Sequence, residues 1–378
     1  MENCRPADRD HLRRHQMLAW EAIGNARVDD TQRLNYWRHW VTHCIMSNAP
    51  TYLVGLSKPQ KHEVLLCFAS RVREGVLGNG KEVRVGLVDV ALRAVGQTLV
   101  MAGYEDPRRS YNQKALDLPI SSLLKTYRDA DPKPLPELAV PVEIVTHISG
   151  QRQSKRLAAI SDLVELQFLF LLRVGEYTFP TNDRRTRTTQ FRRHDVIFYK
   201  NGHRLDHTAG LEVLMEADGV TLLLDNQKNG VRGSILHHHN SHSSLNPVSV
   251  LARIVTRLLD ISADPTLPLC SYKAKYQRQW ITKLVTAPMI LTAVKKAVIS
   301  TGLYRQGFSS KRVGTHSLRA GGAMAMLLNG VSETSIRKLG RWSGATFEVY
   351  IHTQIAALSN NVSSQMVRPI PNFYHVGA

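Results

Sequence analysis

Apolar residues recur every three or four positions through most of this chain, and the places where the pattern breaks mark its joints. In RLNYWRHWVTHCIM, Leu34, Trp37, Trp40, Val41 and Cys44 fall at helical spacing. VDVALRAVGQTLVMAG repeats the pattern with Val88, Leu92, Val95 and Leu99 before Gly103 stops it. HEVLLCFASRVREG is a third helix, and residues 1–128 read as a small all-helical domain of four or five helices. DADPKPLPELAVP then places Pro132, Pro134, Pro136 and Pro141 within ten positions, which forbids helix and favours an extended strap, so residues 129–142 read as a linker.

Beyond the linker, RLAAISDLVELQFLFLLRVGE is apolar on most sides and predicts a buried helix. DVIFYK and VTLLLD look like strands, and SILHHH pairs with VTLLLD as a hairpin across residues 226–233. Helices return from Pro247 in VSVLARIVTRLLD, TAVKKAVISTG, HSLRAGGAMAMLLNG, SETSIRKLGRW and ATFEVYIHTQIAALS. The second domain spans residues 143–359, and residues 360–378, with two prolines and no period, form a tail. The fold class is α+β, mainly helical with a small sheet.

The charge changes the picture. Lys and Arg number 49 against 31 Asp and Glu, a net of +18, which points to a polyanionic partner. Residues 1–150 carry a net of +3 and residues 151–378 a net of +15, so the second half faces the polyanion. Cys4, Cys44, Cys67 and Cys270 lie far apart without a Cys-x-x-Cys pair, which argues against a zinc site or disulfide framework and suits a reducing compartment. No apolar run reaches spanning length and the N-terminus is polar, so the expectation is a soluble, intracellular protein whose partner is nucleic acid and not a membrane.

Candidate chemistry lies in the basic half. In THSLRAGGAMAML, His316 and Arg319 are three apart at a helix start and share a face, and Gly321 and Gly322 let another backbone come close. Trp342 follows in LGRWSGATFEVYIH, with Tyr350 eight residues later. Arg173 ends the most apolar helix, where it needs a partner or an anion. Singly, each has an ordinary role: Arg173 pairs with Glu176, His316 caps, Trp342 and Tyr350 pack. Their order and spacing carry the functional case.

That ordered set resembles the tyrosine recombinases, or phage-type integrases, which have an Arg in an Arg-x-x-Glu setting, a Lys on a β-hairpin, a His-x-x-Arg, a later His or Trp, and a Tyr. The matching positions are Arg173 with Glu176, Lys228 in DNQKNGVRG, His316 with Arg319, Trp342 and Tyr350. The resemblance covers residues 151–360. The first domain is similar only in architecture to the family's core-binding domain. GRWSGATFEVYIH looks closest to Crypton-like eukaryotic transposon recombinases, whose spacing before the Tyr is shared. Arg173 and Lys228 are 55 residues apart, longer than typical, which implies an insertion at DRRTRTTQFRRH.

The resemblance implies site-specific DNA recombination for a mobile element. Tyr350 would attack phosphorus and form a 3′-phosphotyrosyl link, with His316 taking the phenol proton and Lys228 protonating the departing 5′-oxygen. Arg173 and Arg319 would clamp the non-bridging oxygens, each donor worth about 3–4 kcal/mol by analogy with an oxyanion hole. Trp342 offers one N–H and an apolar face. The scheme uses no metal, cofactor or ATP. Expected partners are double-stranded DNA and three further copies in a tetramer on DNA, the free protein being a monomer. A eukaryotic element would place it in the nucleus; otherwise it acts on the chromosome in the cytoplasm.

Arg184, Arg185, Arg187, Arg192, Arg193, Arg232, Arg337, Lys338 and Arg341 are read as DNA-contacting cations that set affinity and salt dependence. Residues 237–242, HHHNSH, alternate across strand faces and read as DNA or solvent contacts, not a metal site. Two rivals use the same features. A non-catalytic helix–turn–helix protein would read DNA with SETSIRKLG after a turn at Gly330. A type IB topoisomerase would nick and rejoin with similar groups.

Overall fold

Val88, Leu92, Val95 and Leu99 stack along one helix and are at most 1% exposed, because a 3.6-residue repeat keeps residues three and four apart on one side. The computed structural model containing them describes residues 30–109, 115–133, 137–180, 188–224, 233–241 and 243–342. The chain divides into two compact units, Met1–Pro134 and Leu135–Ala378.

The described part of the first unit holds four helices: α1 (Asp30–Met46), α2 (Lys58–Arg73), α3 (Val85–Met101) and α4 (Leu118–Ala130). Trp40 is wholly buried, meets Phe68 edge-to-face at 5.2 Å, and donates its indole N–H to the Thr51 carbonyl at 2.9 Å. A buried indole thus keeps a hydrogen-bond partner, as burial of a polar atom requires. Leu34, expected on the buried face of α1, is instead exposed, since none of the described helices covers that turn.

The second unit begins with residues 137–141 in extended form. Leu138 donates its N–H to the Arg312 carbonyl and Val140 to the Ser317 carbonyl, and Leu138, Ala139 and Val140 are buried. Next come α5 (Val142–Ser149), α6 (Lys155–Phe170) and the short α7 (Val174–Tyr177). The sheet follows as β1 (Val196–Lys200), β2 (His203–Leu205), the short helix α8 (Leu211–Met215), β3 (Gly219–Leu224) and β4 (Ser234–His239). Its order is β2-β1-β3-β4, antiparallel throughout, with β3 and β4 in the expected hairpin register from Leu224↔Ser234 to Gly219↔His239. Helix α9 (Pro247–Leu259) lies against the sheet and α6; a second hairpin, β5 (Ser271–Tyr276) with β6 (Gln279–Leu284), leads to α10 (Ala287–Ser300), α11 (Ser317–Leu328) and α12 (Glu333–Gly340). The architecture is α+β.

Helix α6 is the axis of this unit, flanked by α5, α9, α10, α11 and β5. Such enclosure explains why its apolar residues do not keep to one stripe. It also buries Asp162 and Glu165, which Arg152, Arg253 and Arg257 neutralise: Arg152 reaches Asp162 at 2.7 Å and Arg253 reaches Glu165 at 2.7 Å, while Arg257 bonds Asp162. Buried carboxylates persist only when paired this way. Two short turns went unread in the sequence. Asn201 and Gly202 (φ 51° and 76°) join β1 to β2, and Gln277 and Arg278 (φ 46° and 67°) join β5 to β6. Both have the two left-handed residues of the turn that matches strand twist. Among the described residues no helix is long and apolar enough to cross a membrane.

Candidate active site

The long apolar helix does not run on to Arg173. It stops at Phe170 because Leu171 adopts a left-handed conformation (φ 49°, ψ 44°), and the chain turns before the next helix. A leucine there is strained, but its side chain is fully buried. Gly322 leaves room for it: an added Cβ would collide with the Phe168 carbonyl and the Leu171 methyl. Arg173, extended at φ −77° and ψ 146°, then caps α7.

Glu176, one turn on, accepts the Arg173 backbone N–H at 2.8 Å and meets its guanidinium at 3.4 Å. The other Arg173 side-chain contact, Nη2 to the Arg341 carbonyl, is also 3.4 Å. Both lie at the weak limit for N–H···O bonds. The backbone of Arg173 is held tightly, while its guanidinium is held loosely and is 18% exposed.

Helix α11 begins after His316, which places the exposed His316 side chain one turn before Arg319. Arg319 is 3% exposed and donates to the Gly340 carbonyl at the end of α12. The expected close approach at the glycine pair is present: a Cβ on Gly321 would strike the Val140 carbonyl. Helix α12 ends when Arg341 turns left-handed (φ 57°), and Trp342 folds back so that its ring lies 4.5 Å from the Arg319 guanidinium carbon. That return lays the ring across Gly340, where any Cβ would collide with it.

Arg173 and Arg319 therefore bond the successive carbonyls of Arg341 and Gly340, in sequence 168 and 21 residues away. These are the outward-pointing carbonyls of a helix C-terminus, which favours cations. Among the described residues, three guanidiniums (Arg173, Arg319 and Arg341) share this place with the carboxylate of Glu176. The local excess of positive charge, with Arg173 open to solvent, is what a phosphodiester oxygen requires.

Arg341 itself needs correcting. Expected on the DNA-contacting face, it points inward with a side chain 9% exposed, bonding Glu176 at 3.0 Å and the Leu171 carbonyl at 3.2 Å. Burial works against its charge and lowers its pKa, while Glu176 opposes that shift. Arg193 is likewise buried, donating to the Ala263 carbonyl, so it braces the 263–268 loop and does not face a phosphate. Arg192 and Arg337 are half-buried, and Lys338 is exposed on α12. Tyr350, Lys228, Arg184, Arg185, Arg187 and Arg232 lie outside the described residues.

Sequence reading missed a basic, aromatic face on the β5–β6 hairpin. Trp280 is 53% exposed, with Lys155 and Lys275 at 4.8 and 5.4 Å from its ring, and Lys283 lies 5.8 Å from the Tyr276 ring. Lys275 and Trp280 are direct cross-strand partners. This face sits at the Lys155 end of α6, a helix about 24 Å long at 1.5 Å per residue. The alternation in SYKAKY and QWITKL was a usable signal, but the turn lacks the Asn-Gly pair that flags such hairpins.

No family model matches this chain, and no curated protein does. Solved structures similar to it include a Tn1549 transposon integrase in complex with circular intermediate DNA, at 13% identity over 93% of this chain and 98% of that one (TM-score 0.44). Others are the XerH site-specific recombinase bound to a palindromic difH substrate in a post-cleavage complex (12%, 85% and 75%, TM-score 0.47) and the XerA recombinase (15%, 89% and 100%, TM-score 0.37).

Proposed function

We propose that this protein is a DNA strand transferase of the tyrosine-recombinase kind, cutting and rejoining DNA for a mobile element. The observation that carries the reading is the meeting of Arg173 and Arg319 on the backbone of Gly340 and Arg341. His316 lies one helical turn from Arg319, and Trp342 covers the Arg319 guanidinium. A protein that only binds DNA has no use for two arginines gathered at one point behind an exposed histidine.

A phosphodiester entering this site displaces the weak 3.4 Å contacts of Arg173 without disturbing the backbone that holds it. Arg319 is already oriented by the Gly340 carbonyl and by the Trp342 ring, so little reorganisation accompanies charge build-up in the transition state. The Tyr350 oxygen attacks phosphorus as its proton passes to His316. The bond to the 5′-oxygen breaks, and Lys228 supplies that oxygen with a proton. Bond energy is kept in the 3′-phosphotyrosyl link, and attack by another 5′-hydroxyl reverses the step. The exposed lysines beside Trp280 extend the phosphate-contacting surface, and coordinated cutting of two duplexes calls for a tetramer on DNA.

The test is a nicked suicide DNA substrate incubated with the protein and resolved on a denaturing gel. The wild type is expected to yield a covalent adduct that Tyr350→Phe abolishes. An adduct that survives Tyr350→Phe, or no adduct with any DNA tried, overturns the reading.

A further inference from the structure

One buried glutamine touches both of the segments that carry the candidate chemistry. Gln167, on the last turn of α6, is 1% exposed. Its side-chain amide nitrogen donates to the Leu172 carbonyl at 3.3 Å and to the Thr315 carbonyl at 3.2 Å, 148 residues away. Its side-chain oxygen accepts the Tyr177 hydroxyl at 2.5 Å. The assignment of oxygen and nitrogen is forced, since two carbonyls face one end and a hydroxyl the other. Tyr177 is 1% exposed, and burial raises its pKa, so the phenol stays a donor.

Leu172 and Thr315 immediately precede Arg173 and His316. The carbonyl of Leu172 and the N–H of Arg173 belong to one rigid peptide plane. Gln167 holds its oxygen and Glu176 holds its N–H at 2.8 Å. The plane between Thr315 and His316 is held in the same way, with Gln167 on the oxygen and Glu137 on the N–H at 3.2 Å. Each plane is thus fixed at both edges by side chains, and one amide is common to the two. Together with φ of the following residue (−77° at Arg173, −94° at His316), the orientation of a peptide plane sets the direction in which the next Cα–Cβ bond leaves the backbone. The two hydrogens of a single NH₂ group therefore tie together the backbone planes from which Arg173 and His316 are aimed.

Resting on the strand-transfer reading above, we infer that Gln167, seated by Tyr177, is a positioning residue that aligns the Arg173 guanidinium with the His316 imidazole. It touches no substrate. Nothing in the sequence pattern marks it: a glutamine inside an apolar helix reads as an unexplained polar residue, and its partners are distant in sequence.

The experiment compares single-turnover cleavage of a suicide substrate at saturating DNA for the wild type, Gln167→Met, Tyr177→Phe, His316→Ala and the double variant Gln167→Met with His316→Ala. Methionine keeps the length of the side chain and removes both donors. A misplacement near 1 Å at a reacting group lowers rate by about 100-fold, so Gln167→Met is expected to slow cleavage by roughly one to two decades. DNA affinity, read by fluorescence anisotropy, should stay within about twofold, because the phosphate-contacting cations are untouched. Tyr177→Phe, which only frees the amide to rotate, should slow cleavage less and in the same manner. In the His316→Ala background Gln167→Met should add much less than it does alone, since its effect passes partly through His316.

Wild-type cleavage with Gln167→Met and Tyr177→Phe at the wild-type rate overturns this inference alone. So does a slow Gln167→Met whose effect is fully additive with His316→Ala, or whose loss matches a loss of folded protein by circular dichroism. A wild type that forms no adduct overturns the strand-transfer reading and this inference with it.

Discussion

Replacing Glu176 by Gln should loosen the end of α6, α7 and the C-terminus of α12 together. Its carboxylate, 1% exposed, accepts the Arg173 N–H at 2.8 Å and the Arg341 guanidinium at 3.0 Å through the same oxygen. An amide of the same shape removes the charge and turns donors toward two guanidiniums. Breaking a buried ion pair from one side costs about 3–5 kcal/mol. Arg173 retains 18% exposure and is partly screened by solvent, which favours the lower figure of about 3 kcal/mol. That corresponds to a roughly 150-fold rise in the local opening constant. Amide hydrogen exchange of peptides covering residues 160–177 and 333–341 reads this opening directly, whatever the first unit does. Arg341→Met alone should cost less, because Glu176 keeps Arg173. The double variant Glu176→Gln with Arg341→Met should recover at least half of the loss, because the more deeply buried of the two guanidiniums is then gone. A change below about 1 kcal/mol in Glu176→Gln, or strict additivity in the double variant, refutes the placing of Glu176 at the centre of this charge cluster.

Two further outcomes follow from the packing. Gly321→Ala places a methyl against the Val140 carbonyl and should destabilise by about 1–3 kcal/mol through overpacking. Gly86→Ala, on open ground in α3, should be neutral or stabilising by up to about 1 kcal/mol; equal thermal shifts in the two variants count against the fit at Gly321. His238, against the Phe170 ring at 4.5 Å, has its pKa pushed down to about 4, chiefly by burial and then by His237 and His239. A folded value below the unfolded 6.5 means that this stability is fully present above pH 6.5 and is lost as pH falls toward 4. The loss is about 2.5 kcal/mol by pH 4.5. The wild type should therefore lose more stability than His238→Phe between pH 7.5 and 4.5 in denaturant titrations; parallel losses exclude the assignment.

The periodicity of the chain by itself determined several of its helices, though not α4 or α5, and the reason is local. Val88, Leu92, Val95 and Leu99 need only a 3.6-residue repeat to share a face, and the β3–β4 hairpin joins two short strand-like runs close together in sequence. The proposed grouping of His316 and Arg319 rests on the same local reason, since three residues of helix place them one turn apart. Arg173 and Trp342 were singled out by their order along the chain, a signal that carries no distances. What only the tertiary structure decided was direction. Arg341 and Arg193 are as basic as Lys338, yet a left-handed turn after α12 sends the first inward to Glu176, and the loop carrying Ala263 covers the second. Leu34 looks like core by its spacing, yet none of the described helices covers it. The role of Gln167 depends on carbonyls 5 and 148 residues away. A hydrogen bond spanning such a distance leaves no periodic trace, because its geometry is set by how α6 and α11 pack and not by the residues between them.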